Sequence, residues 1–150
     1  MHPRQPHLRG DLMAGSFKVE ISADVGGPFM HADIGAALGD WAQNVAKELG
    51  DEGVRRLKAW PFKGGGHGDS GGGFQANLNV LQNGPVARIK GPMITGVTWS
   101  PWLEGNSKRN SSTRFRGYGL FRKTAAQLRK MAPEIGDREL AKIMPRLGGE

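Results

Sequence analysis

The sequence predicts an α+β fold: a small, mainly antiparallel sheet packed by one long N-terminal helix, with C-terminal helices and long Gly-rich loops. Three observations predict it. Residues 16–23 and 74–90 alternate apolar with polar side chains, the pattern of half-buried strands, and the second run is broken by the hairpin-turn pair Asn83-Gly84. Residues 31–59 instead place apolar side chains three and four apart, the period of an amphipathic helix. The helical spacing returns near residue 114 or 118 and runs to Met144. A chain of 150 residues suits one domain, here residues 16–150 behind an N-terminal arm.

In chain order, residues 1–15 hold two Pro, two His and two Arg without periodicity and are expected to form a flexible arm. Phe17, Val19 and Ile21 give the first strand its apolar face, and Gly26-Gly27-Pro28 lies in the turn that ends it. The long helix follows from His31. Ile34, Leu38, Trp41, Val45 and Leu49 form its stripe, and Leu57 and Trp60 keep the phase, so one helix to about Ala59 is expected, stopped by Pro61. Trp41 and Trp60 read as core residues. Gly50 and Gly53 sit inside this helix, where each costs about 1 kcal/mol relative to Ala.

Seven of the eleven residues 63–73 are Gly, which predicts a mobile loop. It lacks the Gly-Lys-Ser/Thr ending of a phosphate loop, and a strand over Phe74–Val80 is expected after it. His67 and Asp69 are too few for a metal site on so floppy a segment. The hairpin partner is expected over Val86–Lys90, with one more short strand within Ile94–Trp99. Beyond a Gly-, Asn- and Ser-rich stretch, Phe121, Ala125, Leu128 and Ala132 mark a helix. Pro133 is expected to interrupt it, with a last helix starting there and ending at Pro145 and the closing Gly-Gly.

The chemistry is restricted. Without Cys there is no disulfide scaffold and no thiolate metal site. The four His belong to no HExxH-type spacing, and there is no Gly-x-Ser-x-Gly elbow, so the reading is non-enzymatic, with no catalytic, cofactor or metal residues. No window approaches the ~18 apolar residues of a membrane span, and a soluble protein made in the cytoplasm is expected. The formal charge is +7, and eight Lys or Arg fall between Gly105 and Lys130 with no acid among them. Such a field attracts polyanions or an acidic protein. A basic nucleic-acid-binding domain is therefore the alternative reading, although no zinc-finger, RRM or KH pattern supports it.

The stretch from Thr98 to Arg122 holds two of the four Trp, the only Tyr and five Lys or Arg in a segment whose composition reads as loop. Aromatic rings and Arg are what specific contacts are made of, so the stretch is either clamped to its own domain or meant for another molecule. Its order is Trp99-Ser100-Pro101-Trp102-Leu103-Glu104-Gly105, then Ser107-Lys108-Arg109-Asn110, then Thr113-Arg114-Phe115-Arg116-Gly117-Tyr118, then Phe121-Arg122. This resembles the signature of tail-completion, neck or head–tail joining proteins of long-tailed bacteriophages, some called minor tail proteins. That signature runs aromatic-Gly-Pro-Trp-Leu-Glu-Gly, Arg-Asn, Arg-Phe-x-Gly-Tyr and a Phe-Arg helix. Ser100 departs from it, standing where Gly is commoner.

The resemblance implies a virion protein that closes with copies of itself into a ring, expected to be a hexamer. The ring would lie against connector, stopper, terminator or tail-tube proteins and touch DNA in the channel non-specifically, away from any membrane. Interface or bracing residues are then expected at Trp99, Trp102, Leu103, Glu104, Arg109, Asn110, Arg114, Phe115, Tyr118, Phe121 and Arg122. Trp102 and Tyr118 would be anchors, and Glu104 an acceptor for Arg109 or Arg114 in the same or the next subunit. Residues 102–105 are expected to brace the subunit and residues 109–122 to meet neighbours.

Overall fold

The computed structural model describes residues 16–22, 32–62, 73–94 and 97–147. The expected arm, the turn at 24–28, most of the glycine loop and the final Gly-Gly lie outside them, as do all four His and Asp69.

The fold is α+β. Strand β1 (Ser16–Glu20) pairs antiparallel with β3 (Val86–Lys90), which pairs antiparallel with β2 (Asn79–Asn83), giving the sheet order β1-β3-β2. Phe17 stands opposite Ile89 and Val19 opposite Ala87, so alternation puts all four on one buried face. Helix α1 (Ala32–Lys58) crosses that face, and α5 (Leu120–Ile143) packs against α1. Ala37, Trp41, Val45 and Leu49 form the buried stripe of α1, joined by Leu128, Ala132, Ile135 and Ile143 of α5. Trp41 donates its Nε1–H to the Gly136 carbonyl at 2.9 Å. Trp60 is only half-buried, with the Lys123 ammonium 5.7 Å from its ring centre.

The two glycines within α1 mark where helix and sheet touch. A Cβ on Gly53 would sit 2.4 Å from Ile89 Cδ1 and 3.1 Å from Leu128 Cδ1; one on Gly50 would sit 3.0 Å from Ala87 Cβ. The weak helix formers are thus needed for close approach. Gly39, on the exposed face, has nothing within 4 Å of such a Cβ. Gly53→Ala is therefore expected to destabilise by about 1–3 kcal/mol through overpacking, whereas Gly39→Ala is expected to stabilise by about 0.5–1 kcal/mol. Urea unfolding measures both, and equal signs would contradict this packing.

Three sequence expectations are corrected. Phe74–Val80 is not one strand: Gly73–Ala76 forms a helical turn, α2, and β2 starts at Asn79. The reason is local. Phe74 is buried edge-on against Phe62 and Phe121, and the Gln75 amide donates to the carbonyls of Lys58 (2.9 Å) and Trp60 (3.1 Å), closing the C-terminal end of α1. Pro133 does not break the last helix, because α5 runs through it to Ile143. An interior Pro costs about 3 kcal/mol, but the buried side chains on both sides of it contribute roughly 1.5–3 kcal/mol each. The orphaned carbonyl belongs to Arg129, an exposed residue. A 3-10 turn, Met144–Leu147, follows. Finally, the single strand expected within Ile94–Trp99 is a two-strand pair, β4 (Met93–Ile94) with β5 (Val97–Thr98).

Ion pairs join α1 to α5 and to the 3-10 turn that follows it: Glu48 with Arg138, and Asp40 with Arg146 at 2.8 Å. Glu52 accepts from both Arg55 and Arg56, and the Arg55 hydrogen bond holds its carboxyl below the usual range.

Candidate functional site

Residues 99–122 contain two short helices, α3 (Ser100–Glu104) and α4 (Lys108–Ser112), and a return segment into α5. Pro101 sits in the first turn of α3, where its missing N–H is harmless. Gly105 ends α3 in the left-handed conformation, φ +103°, with its N–H on the Pro101 carbonyl. Ser107 and Asn110 form a reciprocal capping box at the start of α4.

Asn110 ties the pieces together. It is 4% exposed, and its Nδ2 donates to the carbonyls of Trp102 (3.0 Å) and Phe115 (3.2 Å). Arg116 donates to the Asn110 carbonyl at 3.0 Å. The return segment lies on α3, with the Tyr118 N–H on the Leu103 carbonyl at 2.7 Å. Gly117 and Gly105 face each other there: a Cβ on Gly117 would be 2.4 Å from the Gly105 Cα.

Glu104 has a different partner from the one expected. Its carboxylate accepts the backbone N–H of Phe121 (2.8 Å) and of Arg122 (3.3 Å), at the first turn of α5, and forms no ion pair with Arg109 or Arg114. The cause is at the helix end. The residue before α5 is Gly119, which has no side chain to cap the free N–H groups, so a carboxylate from α3 supplies the acceptor. Glu104 is buried at 6% exposure, where a charge needs such partners.

The aromatic rings form a continuous run, edge to face except where Trp102 and Phe115 are tilted to each other. Trp99 meets Trp102 at 5.3 Å, Trp102 meets Phe115 at 4.7 Å, Phe115 meets Tyr118 at 5.0 Å and Tyr118 meets Phe62 at 5.2 Å. From Phe62 the run passes through Phe74 and Phe121 to Phe17 in the sheet. The stretch is thus clamped to its own domain. Leu103 and Phe121 are fully buried, while Trp99, Trp102, Phe115 and Tyr118 are half-buried. Phe121 and Asn110 lie inside the domain rather than on the outward part expected at 109–122, because one seats α5 in the core and the other closes the loop.

What faces outward is charge. Arg109, Arg114 and Arg122 are exposed, as are Lys108, Arg116, Lys123, Arg129 and Lys130. None of the eight is paired with a carboxylate among the described residues; the ion pairs present involve other cations. The Arg109 guanidinium lies 5.4 Å from the Trp102 ring centre. No group of three or more His, Cys, Asp or Glu comes together among the described residues, and no described helix is long and apolar enough to cross a membrane.

Residues outside the expected interface or bracing set carry much of this construction: Ser107 and Gly117 of the motif and, from outside the stretch, Phe62 and Gln75. Ser107-x-x-Asn110 is a capping-box spacing visible in the sequence; the pairing of Gly105 with Gly117 is not. Ser100 is buried with its Oγ unpartnered among the described residues, pressed against Gly91. Comparison of the chain with protein-family models, with curated proteins and with solved structures finds no match.

Proposed function

We propose that this chain is a non-enzymatic structural protein of a tailed phage: a tail-completion or neck subunit that forms a ring and joins the head connector to the tail around the DNA channel. The observation that carries the reading is the build of residues 99–122. The order of residues that resembles such proteins is folded as one braced unit, with its aromatic edges half-buried and its Arg side chains outside. Internal bracing of this kind makes a rigid platform, and rigid platforms lose little entropy on association.

A closed ring needs two different faces on each subunit that meet heterologously. Two regions of this chain differ in charge. Around Asp40, Glu48 and their partners Arg146 and Arg138 the cations are neutralised, whereas around residues 108–130 they are not. Trp102 and Tyr118 serve as contact anchors, and Arg109, Arg114 and Arg122 reach copies of the chain or the adjoining connector, stopper, terminator or tail-tube protein.

The second reading, a basic nucleic-acid-binding domain, draws on the same unneutralised cations. Purified particles separate the two. The ring reading expects the chain in mature particles at a fixed ratio to the connector. Its absence from them, with a monomer that binds duplex DNA at nanomolar strength, would overturn it in favour of the second.

A further inference from the structure

We propose that the solvent face of the first half of α5 is a binding surface for the phosphate backbone of double-stranded DNA, independent of base sequence. At about 100° per residue, Arg122, Lys123, Ala126, Arg129 and Lys130 fall within about 120° of one another, opposite the buried stripe of Phe121, Leu128, Ala132 and Ile135. Arg122 and Arg129 repeat after seven residues, as do Lys123 and Lys130, so each pair spans about 10.5 Å along the axis. The small side chain of Ala126 lies between the two pairs and leaves the approach to all four cations open. The strip ends at Glu134 and Asp137 on the same face, which bounds the footprint to about three helical turns.

Three observations select duplex phosphate over other polyanions. First, the strip is four cations around a single methyl group, whereas the centre of a protein–protein interface is apolar and depleted in charge. An acidic protein would find almost no apolar surface there to bury. Second, single-strand binding relies on open aromatic faces for base stacking. Here the nearby rings are committed: Lys123 lies over Trp60, Arg109 lies over Trp102, and Phe115 and Tyr118 meet edge to face. Third, all four cations are exposed and free of carboxylates among the described residues, so no internal ion pair must break for a phosphate to be met.

This goes beyond the assembly reading and does not depend on it. A ring without DNA affinity would leave that reading standing, and a monomer could still carry the strip.

The test is fluorescence anisotropy of the full chain with unrelated duplexes of about 30 base pairs across a salt series. A Kd in the range of about 1–100 µM near physiological salt is expected, alike for all sequences. Arg129→Gln with Lys130→Gln is expected to lower the slope of log affinity against log salt by about 1.8 and to weaken binding roughly tenfold. The exchange Arg129→Lys with Lys130→Arg keeps the wild-type slope. Lys47→Gln with Lys142→Gln removes the same charge from cations already paired to Asp51 and Glu139, and is expected to change affinity less than twofold. Circular dichroism confirms that each variant is folded. Equal losses in the two neutralised variants, tighter binding to single strands, or poly-glutamate bound as well as the duplex would each overturn the proposal.

Discussion

Gly117→Ala is expected to destabilise the protein by about 2–4 kcal/mol, the larger share from overpacking and the rest from a left-handed backbone. Gly117 has φ +84°, and an added Cβ would meet the Gly105 Cα and N at 2.4 Å and the Glu104 carbonyl carbon at 2.7 Å. All three are backbone atoms, so no side-chain rotation relieves the clash. The return segment would have to lift from α3, taking with it the Tyr118 hydrogen bond to Leu103. Gly84 supplies the control. It has φ +53°, but nothing lies within 4 Å of its added Cβ, so Gly84→Ala should show the conformational cost alone, about 1 kcal/mol. Chemical unfolding of both variants measures the difference, and equal losses would show that the contact between the two glycines is unimportant.

Glu104→Ala is expected to lose about 2–3 kcal/mol, because two N–H groups at the start of α5 lose a charged acceptor in a buried place. Glu104→Gln keeps one acceptor oxygen without the charge, and about half the loss is expected. Hydrogen exchange gives a local readout: protection of the Phe121 and Arg122 amides should fall more than tenfold in Glu104→Ala while the β1–β3 ladder keeps its relative order. A loss below about 0.5 kcal/mol would mean that Glu104 does not cap α5. The two variants should also couple. Any shift of the α3 backbone forced by Gly117→Ala moves the Glu104 carboxylate, so the double variant is expected to lose less than the sum.

These two sites show where a sequence is readable and where it is not. The long helix, the hairpin turn and the first strand follow from the apolar period and from local turn chemistry, and they stand close to their expected places. Pro133 and the run 74–80 mislead because a short-range rule meets a longer-range gain: buried neighbours hold α5 through the proline, and Gln75 closes the end of α1. Gly50 and Gly53 read as a weakness of α1 but permit the sheet to approach it. In the candidate site, the aromatic and Arg residues are legible by type, and Leu103 and Glu104 are buried, with Glu104 bonded to the start of α5. The partner of Glu104 is not legible, since it lies 17 residues away and is chosen by a glycine that cannot cap its own helix. Burial of Phe121 and Asn110 likewise depends on the tertiary position of α5 and on closure of the loop.

A division of labour follows within residues 99–122. The inner set, Leu103, Glu104, Asn110 and Phe121, sets the shape of the platform. The outer set, Arg109, Arg114 and Arg122, leaves its charge unspent inside the subunit. Under the ring proposal, losses in the first set are expected to read as stability, and losses at Arg109 and Arg114 as assembly.

The central proposal, a ring subunit at the junction of head and tail, is tested most directly by a reconstruction of the purified particle. Density fitting copies of this chain in one closed ring on the tail axis, with residues 99–122 at subunit or ring-to-ring contacts, is the predicted result. Complete particles whose neck and tail are fully accounted for by other proteins would contradict it.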